Sequence, residues 1–231
     1  MQHDFLQELL ASGDSDFEHS KLFSYSQLAR LSYQELAEGF EVICDHHERL
    51  IGQRRGRQAW LGFRGSRSDP KHWLGGTGNC DAWPRRDGVF QGFQKAIETC
   101  LADLMAYCQG CDEIHFTGHS RGAALATLAG WYAAKHFRNA QVNVVVFGSP
   151  RVGLASFAEG YRQQANLQWA GFQHLQDVVG RLPPWGEHIY PPTDPLTDFK
   201  TPPASLLQSI PQLGKLLNVM WVFGSICTPL G

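Results

Sequence analysis

The stretch FTGHSRGAALATLA, residues 116–129, constrains the fold of this chain more than any other. It contains a G-x-S-x-G pattern centred on Ser120 and bounded by Gly118 and Gly122. The apolar segment EIHFTG around its start predicts a short β-strand, and the alanine-rich segment after the pattern predicts a helix. A chain that passes so abruptly from strand to helix needs glycines, because Cβ atoms would collide in the turn. We therefore predict a strand, a tight turn that presents Ser120, and a helix.

Strands and helices alternate in the rest of the chain. The further predicted elements are a helix at about 27–38, a strand at RQAWLGFRGS, a helix at about 91–107, a strand at VNVVVFGSP, a short helix at FAEGYRQQ and a strand at QWAGFQHL. Adjacent valines are typical of a parallel strand that is buried on both faces. This order predicts an α/β fold with a mostly parallel central sheet flanked by helices. A chain of 231 residues is expected to form a single domain, residues 1–231.

Composition and charge exclude several classes of protein. The net charge is −2, from 20 basic and 22 acidic residues, so no basic excess indicates nucleic acid as a partner. We find neither an N-terminal secretory signal nor an apolar run that could span a bilayer, so the localisation is unknown, with the cytoplasm as the default. Near the C-terminus, LLNVMWVFGSI is nearly all apolar, and we expect it to be buried or to contact lipid. Cys108 and Cys111 form a C-x-x-C pair without a second ligand pair, which favours structural thiols over a metal site.

Ser120 has the sequence context of a nucleophilic serine. A serine between a strand and a helix in this pattern stands at the sheet edge, on a nucleophile elbow. It needs a histidine base and an acid that orients the base, and after such an elbow the acid precedes the histidine in the chain. Asp177 is the acidic residue that directly follows a predicted strand, and His188 is the histidine that follows Asp177. The alternative interpretation is a turn of small residues without chemistry.

The same chemistry requires hydrogen-bond donors for an oxyanion. One predicted donor is the backbone N–H of Arg121, the residue after the nucleophile. Ser66 ends a predicted strand that can lie beside the elbow strand, and it could offer both its N–H and its hydroxyl. Each such donor typically lowers the barrier by about 3 kcal/mol. The segment that follows, about residues 67–88, is predicted to be a long functional loop because it is rich in Gly, Pro, Asp and Trp.

Five motifs occur in a fixed order: WLGFRGS, GVFQGFQKAI, FTGHSRGAALATLA, VVVFGSPRVGLASFAEGY and HLQDVVGRLPP. Together they resemble the class 3 lipases, which are fungal-lipase-like α/β hydrolases, and the resemblance is strongest over residues 25–192. It implies that Ser120 is the nucleophile and Asp177 the acid of a catalytic triad. It also implies that Ser66 and Arg121 are the oxyanion positions.

The resemblance further implies what the protein acts on. The expected activity is that of a serine ester hydrolase, an acylglycerol lipase or carboxylesterase, that cleaves carboxylic esters in lipids without a metal or an organic cofactor. The loop after Ser66 resembles a lid, and Trp73 and Leu74 are its candidate lipid-facing residues. We therefore expect a lipid or small ester as substrate and transient contact with a lipid interface. Acylglycerols and phospholipids both stay open as substrates.

Two of the departures from the family pattern bear on the chemistry of the site. Arg121 stands where leucine is common, which suggests a cation at the mouth of the site that would suit an acidic or phosphate-bearing lipid. The triad histidine of the family usually lies several tens of residues after the aspartate, and here no histidine follows His188. Two accounts stay open: either His188 is the base, or the chain lacks the natural C-terminus with its histidine. The competing function is an inactive or C-terminally truncated lipase-like module that binds lipid or a protein partner.

Overall fold

A six-stranded sheet forms the centre of the protein in the computed structural model, which describes residues 21–35, 37–66, 84, 87–173, 177, 179–183 and 186–189. The strands are β1 (Glu41–Asp45), β2 (Arg49–Arg55), β3 (Gln58–Phe63), β4 (Glu113–His119), β5 (Gln141–Phe147) and β6 (Leu167–Phe172). They lie in the sheet in the order in which they occur in the chain.

The four strands from β3 to β6 run parallel to one another, whereas β1, β2 and β3 pair as an antiparallel meander. The predicted mostly parallel sheet is therefore confirmed. The sequence prediction missed β1 and β2. Their sequences, EVICD and RLIGQRR, contain charged residues and show neither strict alternation nor a continuous apolar run, so they lack the usual signals of a strand.

Five helices accompany the sheet in the described part of the chain. They are α1 (Lys21–Leu31), α2 (Gln91–Glu98), α3 (Leu101–Cys108), α4 (Arg121–His136) and α5 (Ala155–Arg162). A short 3₁₀ helix, Val179–Arg181, follows β6. None of the helices in these described segments is long and apolar enough to cross a membrane.

Two predicted helices have different bounds in the structure. The first begins at Lys21 rather than near residue 27, so Ser26 lies inside the helix, where its hydroxyl donates to the Phe23 carbonyl at 2.8 Å. The helix predicted over 91–107 is broken at Thr99 and Cys100. Their N–H groups donate to carbonyls three residues back, at 3.2 and 3.1 Å, which is the tighter spacing of a 3₁₀ turn.

The sheet is covered on both faces, because successive side chains of a strand point to opposite sides. On one face, Val144 and Val146 of β5 belong to a core built with helices α2 to α5. On the other face, Val145 and Phe147 belong to a smaller core with α1. Apolar residues therefore follow one another along β5, as predicted for a strand that is buried on both faces.

The carboxyl ends of the four parallel strands meet at one edge of the sheet. Phe63 pairs with Gly118, and Phe147 pairs with both His119 and Phe172. The residues that follow these strands are therefore neighbours in space. In open α/β sheets, ligands bind outside this edge.

Candidate functional site

Ser120 lies between the end of β4 and the start of α4, in a backbone conformation that serines rarely adopt. Its φ is 56° and its ψ is −125°, and it is the one non-glycine residue with positive φ in the described segments. Its N–H donates to the Phe147 carbonyl at the end of β5, at 3.0 Å. Such a conformation costs about 1–3 kcal/mol and persists at functional sites where the surroundings enforce it. The predicted strand, tight turn and helix are thus all present.

The two glycines of the pattern allow close backbone approach on both sides of Ser120. A Cβ added to Gly118 would collide with the Gly122 carbonyl and lie 2.9 Å from the Ala123 nitrogen. A Cβ added to Gly122 would collide with the Phe63 carbonyl and lie 2.8 Å from the carbonyl carbon of Arg64. The turn can therefore close only with glycine at both positions.

The loop after β3 packs directly on the elbow. A Cβ added to Gly65 would lie 2.7 Å from the His119 carbonyl oxygen and would collide with the Tyr33 hydroxyl. Ser66 follows immediately and is partly buried. The structure therefore brings the segment with Ser66 beside the segment with Ser120, as an oxyanion role for Ser66 would require. The proposed lid residues Trp73 and Leu74, like the apolar C-terminal segment, lie outside the described residues.

Asp177 follows β6 and reaches the same edge of the sheet. One of its carboxylate oxygens, Oδ1, accepts the N–H of Val179 at 2.9 Å. The other, Oδ2, lies near Gly148, where a Cβ would stand 2.7 Å from it and 3.3 Å from the His119 Nε2. Gly148 has a φ of +55°, and both polar groups line the space that a side chain at this position would occupy. The structure thus brings Asp177 beside the elbow.

His119 precedes the nucleophile position but is held on the inside of the protein. Its Nδ1 shares a hydrogen bond of 3.1 Å with the Tyr33 hydroxyl. Burial lowers the pKa of His119 to about 4, since desolvation disfavours the charged imidazolium. The ring is therefore neutral near pH 7.

His188 lies on the segment after the 3₁₀ helix. The neighbouring Glu187 donates its N–H to the Gly153 carbonyl at 2.9 Å, which ties this segment to the loop after β5. The pKa of His188 lies below its ordinary value, first because the ring is buried and then because Arg151 is near. The Gly180 backbone and the charge of Glu187 offset this lowering only in part. Among the described residues, no hydrogen bond joins His188 to the Ser120 hydroxyl. Its role as base stays a prediction.

Arg121 does not supply a cation at the mouth of the site, so that hypothesis is wrong. Its side chain is only 1% exposed and is paired with Glu48, whose side chain is 4% exposed. The side chain instead reaches Glu48, in the turn between β1 and β2, and is buried there. The role predicted for the Arg121 N–H is unaffected.

Sequence reasoning missed Glu48, since nothing in the charged turn DHHE marks this residue as buried. The predicted structural thiols agree with the structure. Cys108 and Cys111 are free and buried. Burial raises the pKa of Cys108 to about 12, which makes its thiolate scarce at neutral pH.

The sheet, the strained serine between β4 and α4, and the aspartate after β6, the last strand of the sheet, together define an α/β hydrolase. The comparison with protein families makes the assignment more specific. Residues 62–187 match the family described as lipase (class 3). The chain belongs to the class 3 lipase family, as its motifs had indicated.

Named relatives carry similar descriptions. The secreted mono- and diacylglycerol lipase 1 of Fusarium solani is 35% identical over 103 residues, which are 42% of this chain and 30% of that protein. The phospholipase A1-II 1 of Oryza sativa subsp. indica is 37% identical over 75 residues, 32% of this chain and 19% of that protein. The match therefore spans a third or less of these relatives' length.

Solved structures confirm the fold. The triacylglycerol lipase of Penicillium expansum superposes with a TM-score of 0.59 at 15% identity, over 78% of this chain and 80% of that one. At this level of identity the likeness concerns the fold alone.

Proposed function

We propose that this protein hydrolyses carboxylic esters of lipids through an acyl-enzyme on Ser120. The single observation that carries the proposal is the backbone of Ser120, with φ at 56° between β4 and α4. A turn of small residues without chemistry would not require this strain, because glycine at the same position would relieve it. On an elbow it presents a hydroxyl at the edge where strands end.

In the proposed reaction, the Ser120 Oγ attacks the ester carbonyl carbon while His188 accepts the hydroxyl proton. The carbon–oxygen bond to the alcohol then breaks, and His188 returns the proton to the leaving oxygen. Water attacks the acyl-enzyme in the same manner, and the carboxylic acid leaves as the proton returns to Ser120. Asp177 orients the imidazole and stabilises its positive charge.

The oxyanion that forms in both steps needs donors that are already in place. We assign this role to the N–H of Arg121 and to Ser66. Phe63 and Gly118 are paired in the sheet, so the segments that follow β3 and β4 leave the sheet side by side. A preorganised donor of this kind typically accounts for about 2.7–4 kcal/mol of barrier.

The substrate class follows from the relatives. Their names describe lipases for mono- and diacylglycerols and a phospholipase A1. All these activities cleave the ester between a fatty acyl group and a glycerol oxygen. We therefore propose a glycerolipid or a small ester as substrate.

Labelling with a fluorophosphonate probe tests the proposal. We expect the folded protein to be labelled on Ser120, and Ser120→Ala to remain unlabelled and inactive towards p-nitrophenyl butyrate. Labelling that is absent from the folded wild-type protein, or unchanged in Ser120→Ala, would refute the proposal.

A second candidate function is binding of lipid or a protein partner without hydrolysis. The observation that favours it is that, within the described residues, no hydrogen bond joins the His188 ring to the Ser120 hydroxyl. Hydrolysis by the wild-type protein separates the two candidates, because a binding module would show none. The variant His188→Ala then tests the base, with His136→Ala as the control, since His136 is exposed at the far end of α4. Under the hydrolase proposal, His188→Ala loses about 100-fold or more of kcat and His136→Ala loses none. Wild-type activity in His188→Ala would exclude His188 as the base.

A further inference from the structure

A buried ion pair links the residue after the nucleophile to the turn between β1 and β2. The Arg121 Nη2 donates to the Glu48 Oε1 at 2.6 Å, and its Nε lies 3.3 Å from both carboxylate oxygens. Both side chains are almost fully excluded from solvent. This geometry is bidentate, which fixes the direction of the guanidinium as well as its distance.

The same turn is tied to the segment that leads to Ser66. Asp45 forms an ion pair with Arg49 and lies 4.0 Å from the guanidinium of Arg64. The N–H of Arg64 also donates to the Arg49 carbonyl at 3.0 Å. Arg64 is two residues before Ser66, so residues 45–49 contact both segments that carry proposed oxyanion donors.

The turn is itself well anchored. Asp45 pairs with Arg49 across the antiparallel β1–β2 ladder. The Cys44 Sγ donates to the Glu48 carbonyl at 3.6 Å, and the Arg49 guanidinium donates to the Gln34 and Glu35 carbonyls at 3.0 and 2.7 Å. The Glu48 carboxylate therefore sits at a position that is defined by the sheet and by the loop after α1.

We propose that Glu48 is a positioning residue that holds the Arg121 N–H in place for the oxyanion. This inference rests on the proposed hydrolase function. A buried ion pair adds little stability compared with apolar side chains of similar volume, so stability does not account for it. The pair instead locks the first residue of α4 to a rigid part of the sheet. The N–H of that residue must be placed to within a fraction of an ångström, because a displacement of about 1 Å can slow catalysis on the order of 100-fold.

The test compares Glu48→Gln with a control variant at the start of β4, the end of that strand away from Ser120. Glu113→Gln is the control, because Glu113 also pairs with a buried side chain, His115, but at the start of β4. The measurements are kcat and KM for p-nitrophenyl butyrate and the inhibition constant of a butylboronic acid. Boronic acids form a tetrahedral adduct with a nucleophilic serine and so report on the oxyanion site.

We expect Glu48→Gln to lower kcat by about 10-fold or more and to leave KM within about 2-fold of the wild-type value. The reason is that the Arg121 N–H, which the variant misplaces, contacts the oxyanion only in the transition state. Its boronic acid affinity should fall in step with kcat. Glu113→Gln should retain wild-type values for all three constants. Glu48→Asp keeps the charge but shortens the side chain, and it should also lower kcat at constant KM; it carries the test if Glu48→Gln does not fold.

A purely structural role would lower the melting temperature of Glu48→Gln and leave kcat unchanged below that temperature, and this result would overturn the inference. The two proposals fail in different ways. If the wild-type protein is neither labelled on Ser120 nor active, the hydrolase function itself is wrong. If the wild-type protein is active and both Glu48 variants keep its kcat and boronic acid affinity, only the positioning role is wrong.

Discussion

Replacement of Gly122 by alanine tests whether the elbow depends on close backbone contact. A Cβ at this position would lie 2.8 and 2.9 Å from the carbonyl carbon and oxygen of Arg64, and closer still to the Phe63 carbonyl. Ordinary contacts between such atoms are about 3.5 Å or longer, so the end of β3 and the start of α4 must separate by roughly 0.5–1 Å. Both contact surfaces are backbone, so no change of rotamer can relieve the collision.

We expect Gly122→Ala to lower the free energy of unfolding by about 3 kcal/mol, at the upper end of the usual range for overpacking. Gly160→Ala is the matched control, because Gly160 lies inside α5 and a Cβ there has no atom within 4 Å. Alanine in an open helical position should instead stabilise the protein by about 0.5–1 kcal/mol. The two identical chemical changes should therefore have effects of opposite sign.

Equilibrium unfolding in urea, followed by tryptophan fluorescence, gives both values. Gly122→Ala should also lower kcat, because the separation moves the segment with Ser66 away from the Arg121 N–H. If Gly122→Ala unfolds within about 0.5 kcal/mol of the wild-type protein, a range typical of neutral surface changes, the close contact that we describe does not exist.

Two further predictions concern the same turn. Ser120→Gly should be more stable than Ser120→Ala by about 1 kcal/mol in urea unfolding, because glycine relieves the strain at positive φ while alanine retains it; equal stabilities would contradict the strained geometry. The buried His119 should make the protein acid-sensitive. Its pKa is about 4 in the folded state, against an ordinary value of 6.5, so below pH 6.5 the unfolded state binds more protons than the folded state. The free energy of unfolding therefore falls as the pH drops from about 6.5 towards 4. At full effect the loss of unfolding free energy is roughly 3 kcal/mol. His119→Phe should reduce this loss when the urea midpoints at pH 7 and pH 4.5 are compared. An equal loss in the variant and the wild-type protein would contradict the assignment to His119.

The fold around Ser120 could be predicted because its signals are local. The strand, the small residues and the alanine-rich helix are contiguous, and the glycines are required by backbone sterics that do not depend on distant residues. The parallel strand β5 could be predicted for a similar reason, since consecutive apolar residues such as Val144, Val145 and Val146 suit only a strand covered on both faces. The position of Asp177 at the sheet edge beside Ser120 could be predicted because it comes shortly after β6, which ends at Phe172; its role as the acid stays a prediction.

What could not be predicted depends on contacts between distant segments. Glu48 lies in a turn of polar residues, and such a turn is expected to be exposed. Only the fold brings Glu48 to Arg121, 73 positions away in the sequence. The same pair corrects the hypothesis of an exposed Arg121, because residue type alone does not show which way the first side chain of a helix points. The strands β1 and β2 were missed since their antiparallel pairing through the backbone leaves no clear pattern in their own side chains, and β1 has only one buried residue.

Direct detection of the acyl-enzyme tests the central claim. The wild-type protein is mixed with a short-chain p-nitrophenyl ester, quenched in acid within the first turnovers, digested and analysed by mass spectrometry. Our account predicts an acyl group on the peptide that contains Ser120, and its absence from the same peptide of Ser120→Ala. Hydrolysis that proceeds at the same rate in Ser120→Ala, or an acyl group found only on another residue, would contradict it.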